Sequence, residues 1–219
     1  MSTSLRIDNA HLPGEDTTVN LLVRDGLIGA MGNGPVTGSA DTVIDASGLT
    51  LLPGFVDLCC NLREPGNGQK GNIASESRAA ARGGFTTVCA SPDTSPVNDS
   101  GAVTNLIRDV AGKAPIRILP VGAATRGLAG ELLSDMVGLS HAGCVAFSNG
   151  TRAMASARIL RRCMAYARTF DLILMLQPVN QALAADGYAH DGPVATRLGL
   201  LGVPEVAETA AIMEMLLLA

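Results

Sequence analysis

The feature that most restricts the fold of this 219-residue chain is a rhythm that begins at residue 51. Short apolar stretches recur at "GFVDL" (54–58), "FTTVCA" (85–90), "IRILPV" (116–121), "CVAFS" (144–148) and "LILML" (172–176). Their centres lie roughly 28 to 32 residues apart, the length of a βαβ unit. Between them stand helical patterns: "SESRAAARGG", "GAVTNLIRDVAGK", "ELLSDMVGLSHAG" and "SARILRRCMAYARTF". The last places Ile159, Leu160, Cys163, Met164 and Ala167 on one apolar face behind a Ser156 N-cap. Continuous apolar strands alternating with helices, most of them ending at Gly, predict repeated βα units on a parallel sheet. No GxGxxG or Walker pattern follows any strand, so a nucleotide-binding doubly wound sheet loses ground to a (β/α)8 TIM-type barrel. Such a barrel needs about 250 residues. The rhythm stops after the fifth unit, in the apolar run "AETAAIMEMLLLA", so the barrel reads as truncated there.

The first fifty residues carry a different period. Val19, Leu21 and Val23 alternate, Asp25-Gly26 supplies a hairpin turn, and Leu27, Ile28 and Ala30 follow. With strand-like pieces at Leu5 to Ile7 and at Val43-Ile44, this predicts a small antiparallel unit. The expected division is residues 1–52 for this portion and 53–219 for the partial barrel.

Composition narrows the function classes. Hydrophobic residues are 47% and charged residues 16%, which supports a large core and argues against disorder. Aromatics are only 3%, so that core is aliphatic. A net charge of −4 argues against nucleic acid or an anionic membrane as partner. No secretory pattern opens the sequence, and no apolar run reaches the ~18 residues of a membrane span. Five cysteines at irregular spacing do not form a disulfide framework, so a reduced, cytoplasmic setting is expected.

In a barrel, chemistry sits at the C-terminal ends of the strands. Those ends hold Cys59, Asn61 and Arg63, then Asp93, then Ser148 and Asn149, then Gln177. The blocks "PGFVDLCCNLREPG", "ARGGFTTVCASPDTSPVND", "GCVAFSNG" and "LQPVNQALAADGYAHDG" resemble successive blocks of the dihydroorotases, in the amidohydrolase superfamily, over nearly the whole chain. The resemblance implies a small β-sandwich portion beside a metal-bearing barrel that interconverts carbamoyl aspartate and dihydroorotate.

It also implies a metal site that this sequence lacks. The family pattern after the first barrel strand is Asp-x-His-x-His-x-Arg; here the two His places hold Cys59 and Asn61. The ligating residue after strand four is replaced by Asn149, and the strand-five His by Gln177. The remaining family ligand and the general base would fall beyond Ala219. Carboxamides are weak neutral ligands, and His11, His141 and His190 all lie off the ligand positions. Loss of the family zinc is therefore expected, with no catalytic residues and no cofactor. Arg63 survives from the family's substrate pocket, but its Asn companion is replaced by Asp93, which repels an anionic substrate and could pair with Arg63 instead.

Within the family the chain is most similar to the non-catalytic dihydroorotase-like subunits that accompany aspartate carbamoyltransferase. The resemblance thus implies a homo- or hetero-oligomeric assembly subunit without enzyme activity. The competing reading is a zinc-dependent cyclic amidohydrolase with an altered site. Cys59 and Cys60 are expected as packed cysteines on opposite strand faces rather than a redox pair, and Cys89, Cys144 and Cys163 as core residues. His141 reads as a helix-end residue favoured by the helix dipole. Arg152, Arg158, Arg161, Arg162 and Arg168 cluster about the fourth helix, as either a solvated face or a docking surface for an acidic partner.

Overall fold

The computed structural model describes residues 4–66 and 68–219. The chain divides into two compact units at Gly54/Phe55. None of the described helices is long and apolar enough to cross a membrane.

The first unit is one four-stranded sheet among the described residues, where the resemblance implies a sandwich. It is built from β1 (Ser4–His11), β2 (Thr18–Arg24), β3 (Leu27–Gly32) and β4 (Thr42–Asp45) in the order β3-β2-β1-β4. Asp25 and Gly26 both take positive φ, 51° and 78°, as a two-residue primed turn between β2 and β3 requires. Ala10, Val19 and Ala46 form its core. The expectation of a purely antiparallel unit is corrected at one edge, where β4 runs parallel to β1 with Leu5 opposite Thr42. The cause is a polar clasp: the Ser4 amide and hydroxyl each donate to the Asp41 carboxylate at 2.8 Å, placing the two strand starts side by side.

The second unit begins with the βα repeat that the spacing predicts. In chain order it contains β5 (Phe55–Cys60), α1 (Ile73–Arg82), β6 (Phe85–Ala90), α2 (Gly101–Ala111), β7 (Arg117–Ala123), α3 (Met136–Ala142), β8 (Ala146–Ser148), α4 (Ala157–Thr169) and β9 (Leu174–Met175). The five strands form a parallel sheet in strict chain order, β5-β6-β7-β8-β9. Beyond them lie α5 (Gln181–Ala184), β10 (Ala189–His190), α6 (Pro193–Leu198), β11 (Gly202–Val203) and α7 (Val206–Leu218). The pair β10–β11 is parallel. From this stretch the sequence singles out only the apolar run that forms α7; Pro193 at the first position of α6 is the signal that marks another helix start.

Three of the barrel helices, α1, α3 and α4, start at a side-chain cap. Asn72 caps α1 in a capping box, its side chain accepting from the Ser75 amide while Ser75 accepts from the Asn72 amide. Ser156 caps α4, accepting from the Ile159 amide, and Leu160, Cys163 and Ala167 are buried beneath it. The third helix is shorter than its pattern. It starts at Met136, capped by Asp135, because Arg126 donates to Leu132 and Ser134 to Ala124, holding 132–134 extended.

Helices cover one face of the sheet. Ile73, Val88, Ile107 and Ile118 are buried between α1, α2 and the first three barrel strands. Phe147, Leu139, Met136 and Cys163 form the corresponding cluster under α3 and α4. Full burial of one such side chain contributes about 1.5–3 kcal/mol. Val56 and Leu58 belong to neither cluster and are 56% and 62% exposed. A strand of a parallel sheet covered on both faces would bury them.

Candidate functional site

The loops after β5, β6, β8 and β9 meet at the C-terminal ends of the barrel strands, and hydrogen bonds clasp the first two. The Ser95 amide donates to the Pro65 carbonyl at 2.9 Å, tying the loop after β6 to the loop after β5. This approach needs Gly66, whose φ is 111°; a Cβ there would lie 2.5 Å from that of Ser95. Glu64 accepts from the Ile73 amide at 2.9 Å, fixing the loop to the start of α1. The loop after β6 is anchored by fully buried Asn98, which donates to the Val121 carbonyl at 2.9 Å and accepts from the Thr104 hydroxyl at 2.7 Å.

These loops enclose an open cavity of about 480 Å³. Cys59, Asn61, Asp93 and Gln177 line it, together with Ser148. Ser91 and Thr151 are lining residues that sequence reasoning missed; each sits two residues from a position it did name. The rest of the wall is apolar: Leu58, Val121, Met175, Leu176 and two prolines.

Arg63 and Asn149 do not line this cavity. Arg63 is half-buried with φ 63°, in the left-handed region. The proposed Arg63–Asp93 ion pair is not formed: among the described residues the only ion pair is Arg6–Asp8, at 3.1 Å. Its backbone thus departs from the extended conformation, and Arg63 does not share the cavity that Cys59 and Asn61 line.

Asn149 is 2% exposed and lines a separate cavity of about 350 Å³, which Gln177 also lines. Its Oδ1 accepts from the Thr125 hydroxyl at 2.5 Å, and its Nδ2 donates to the carbonyls of Arg152 and Ala153 at 2.9 and 3.4 Å. Thr125 accepts in turn from the Gly130 amide at 2.9 Å. The carboxamide thereby stitches the loop after β8 to the loop after β7. A carboxylate or imidazole could not reproduce both the acceptor and the two donations.

The vicinal cysteines divide as strand alternation requires, but only one of them is packed. Cys60 lies against the first core cluster, and burial, with Asp57 next in effect, pushes its thiol pKa up. Cys59 is exposed in the cavity, its amide donating to Asp57 Oδ1 at 2.9 Å, which corrects its reading as a core residue. Cys89, Cys144 and Cys163 are buried as expected, and burial pushes Cys163 up to about 11.

The donor set does not fit a tetrahedral zinc site. Among the described residues no group of three His, Cys, Asp or Glu side chains is placed to hold a metal. The cavity offers one thiol, one carboxylate and neutral amides and hydroxyls. His11 lies in β1, His141 in the last turn of α3 and His190 in β10.

Residues 48–219 match the family described as dihydro-orotase-like. A dihydroorotase-like protein of Pseudomonas aeruginosa is 50% identical over 204 residues, covering 93% of this chain and 48% of the relative. A dihydroorotase-like protein of Pseudomonas putida is 46% identical, covering 94% and 49%. A dihydroorotase of Syntrophotalea carbinolica is 42% identical, covering 97% and 50%. The chain thus spans about half the length of the curated relatives it matches. Among solved structures, an L-hydantoinase (dihydropyrimidinase) from Arthrobacter aurescens superposes with a TM-score of 0.79 at 23% identity, covering 100% of this chain and 50% of the other. At that identity the likeness speaks to the fold alone: a parallel barrel sheet of amidohydrolase type.

Proposed function

The chain belongs to the dihydro-orotase-like family, and from that premise we propose that it is a non-catalytic member acting as a structural subunit of an assembly with aspartate carbamoyltransferase in pyrimidine biosynthesis. One observation carries the reading. The four positions where the resemblance puts metal ligands hold Cys59, Asn61, Asn149 and Gln177, and the most buried of them, Asn149, is committed to Thr125 and two carbonyls. Zinc that activates water needs anionic or imidazole donors, and the bound water needs a base. On this reading the chain holds no hydrolytic zinc, and Asp93 in the mouth opposes an anionic substrate.

A second reading, an altered-site cyclic amidohydrolase, draws on Cys59 and Asp93 sharing the cavity and on relatives named dihydroorotase. One preparation separates the two. Dihydroorotate hydrolysis and carbamoyl aspartate cyclisation are measured with and without added zinc, and the protein is co-expressed with the carbamoyltransferase and passed over a sizing column. The assembly reading expects no turnover above a mock purification and one shared peak. Zinc-dependent turnover supports the second reading and overturns the first, and two separate peaks remove the partner.

A further inference from the structure

Helix α4 turns a face of single sign outward. Leu160, Cys163 and Ala167 are buried on its inner side, while Arg158, Arg161, Arg162 and Arg168 lie opposite and are exposed. The helix contains no Asp or Glu. None of the four arginines joins an ion pair, and among the described residues only Arg168 makes a hydrogen bond, to the Ala219 carbonyl at 3.4 Å. The outward residues of α1 and α2 mix signs instead, Glu76 with Arg78 and Arg108 with Asp109. Nor is the stripe general basicity, because the chain carries −4.

The arrangement opposes the helix that carries it. Arg158 faces Arg161 and Arg162 at three- and four-residue spacing, where like charges repel. Arg158 also sits in the first turn, at the positive end of the helix dipole. A surface of opposite charge relieves both. Beside the stripe, between α4 and α7, runs a groove of about 480 Å³ with Arg161 and Arg168 on its edge and Met164, Leu172, Leu174 and Leu176 in its wall. Guanidinium groups next to an apolar slot suit a ligand that has carboxylates and an aliphatic anchor together.

We infer that this face docks an acidic segment of a partner protein, with Asp or Glu side chains against the arginines and one aliphatic side chain in the groove. This deepens the assembly role proposed above and rests on that reading for the partner's identity only. A nucleic acid suits the face less: the chain is acidic overall, and the arginines border an aliphatic groove instead of a stacking platform.

The test uses two probes, a glutamate-rich helical peptide with one leucine anchor and the carbamoyltransferase catalytic subunit, each titrated at low and physiological salt. Four forms of the protein are compared: the parent; Arg158→Glu/Arg161→Glu/Arg162→Glu; the same three positions changed to Gln; and a control, Arg78→Glu/Arg82→Glu/Arg117→Glu, with the same net charge as the first variant. Both probes should bind the parent and weaken with salt. The stripe Glu variant should lose about tenfold or more and the Gln variant less, with the control within about threefold of the parent. The Gln variant keeps the result readable if charge reversal unfolds the protein. A carbamoyltransferase that ignores the parent, beside stripe-dependent peptide binding, removes the partner and supports the docking face. Carbamoyltransferase binding that the stripe variants leave intact overturns the docking face while the assembly role stands. Absence of peptide binding overturns the docking face too. An oligothymidylate that binds the parent more tightly than the peptide overturns the choice of partner class.

Discussion

Asn149 and Gln177 follow neighbouring strands, β8 and β9, and both are carboxamides where the resemblance puts metal ligands. They share the lining of one cavity, but their burial and hydrogen bonding are opposite. Asn149 is buried and every polar atom of its side chain is used, between Thr125 and two backbone carbonyls. Gln177 is exposed, lines the cavity and has no side-chain hydrogen bond among the described residues. A carboxamide at a strand end can be tied into the structure or left at the surface. Here the deep one is fully bonded and the shallow one is not, because an unpaired buried amide costs far more than an exposed one.

The largest expected effect sharpens this contrast. Cys59→His/Asn61→His/Gln177→His puts three imidazoles on one cavity, so zinc affinity measured by equilibrium dialysis should rise by about a hundredfold or more. Adding Asn149→Asp should not tighten zinc further, since Asn149 does not line that cavity. A further gain from the fourth substitution would place Asn149 in the mouth and break the comparison.

Next in size, Asn149→Asp sets a carboxylate oxygen against the carbonyls of Arg152 and Ala153. Denaturant melts should show a loss of about 3 kcal/mol, while Gln177→Glu changes stability by less than about 0.5 kcal/mol. The sign with pH follows. The buried acid would have a folded pKa above its unfolded value of about 3.9. The native state then binds more protons, so the deficit should shrink as pH falls from 7 toward about 4. A deficit independent of pH would mean that the side chain had rotated out to water.

Smaller again is Thr125→Val, which removes the hydroxyl that donates to Asn149 and accepts from Gly130. It keeps the side chain's shape, and about 1–2 kcal/mol should be lost. If Asn149→Asp is made in that background, the two losses should not add, because both break one network.

Much of the fold was legible in the residues. Five apolar stretches at a steady interval could satisfy their backbone only as neighbouring parallel strands, and three of the four helices between them carry side-chain caps. The stretch from 178 to 205 was less legible. Its elements, α5, β10, α6 and β11, run from two to six residues, too short for periodicity to register.

For the site, residue identity alone determined what chemistry the strand ends lack, because donor strength belongs to the side chain wherever it points. Tertiary structure alone decided which of those side chains share a cavity. Asn149 is held by Thr125, 24 residues away, and the loop of Asn61 and Arg63 is clasped by Ser95. Arg63 takes a positive φ and lies outside that cavity. Such choices depend on partners brought together by folding, and no local pattern in the sequence encodes them.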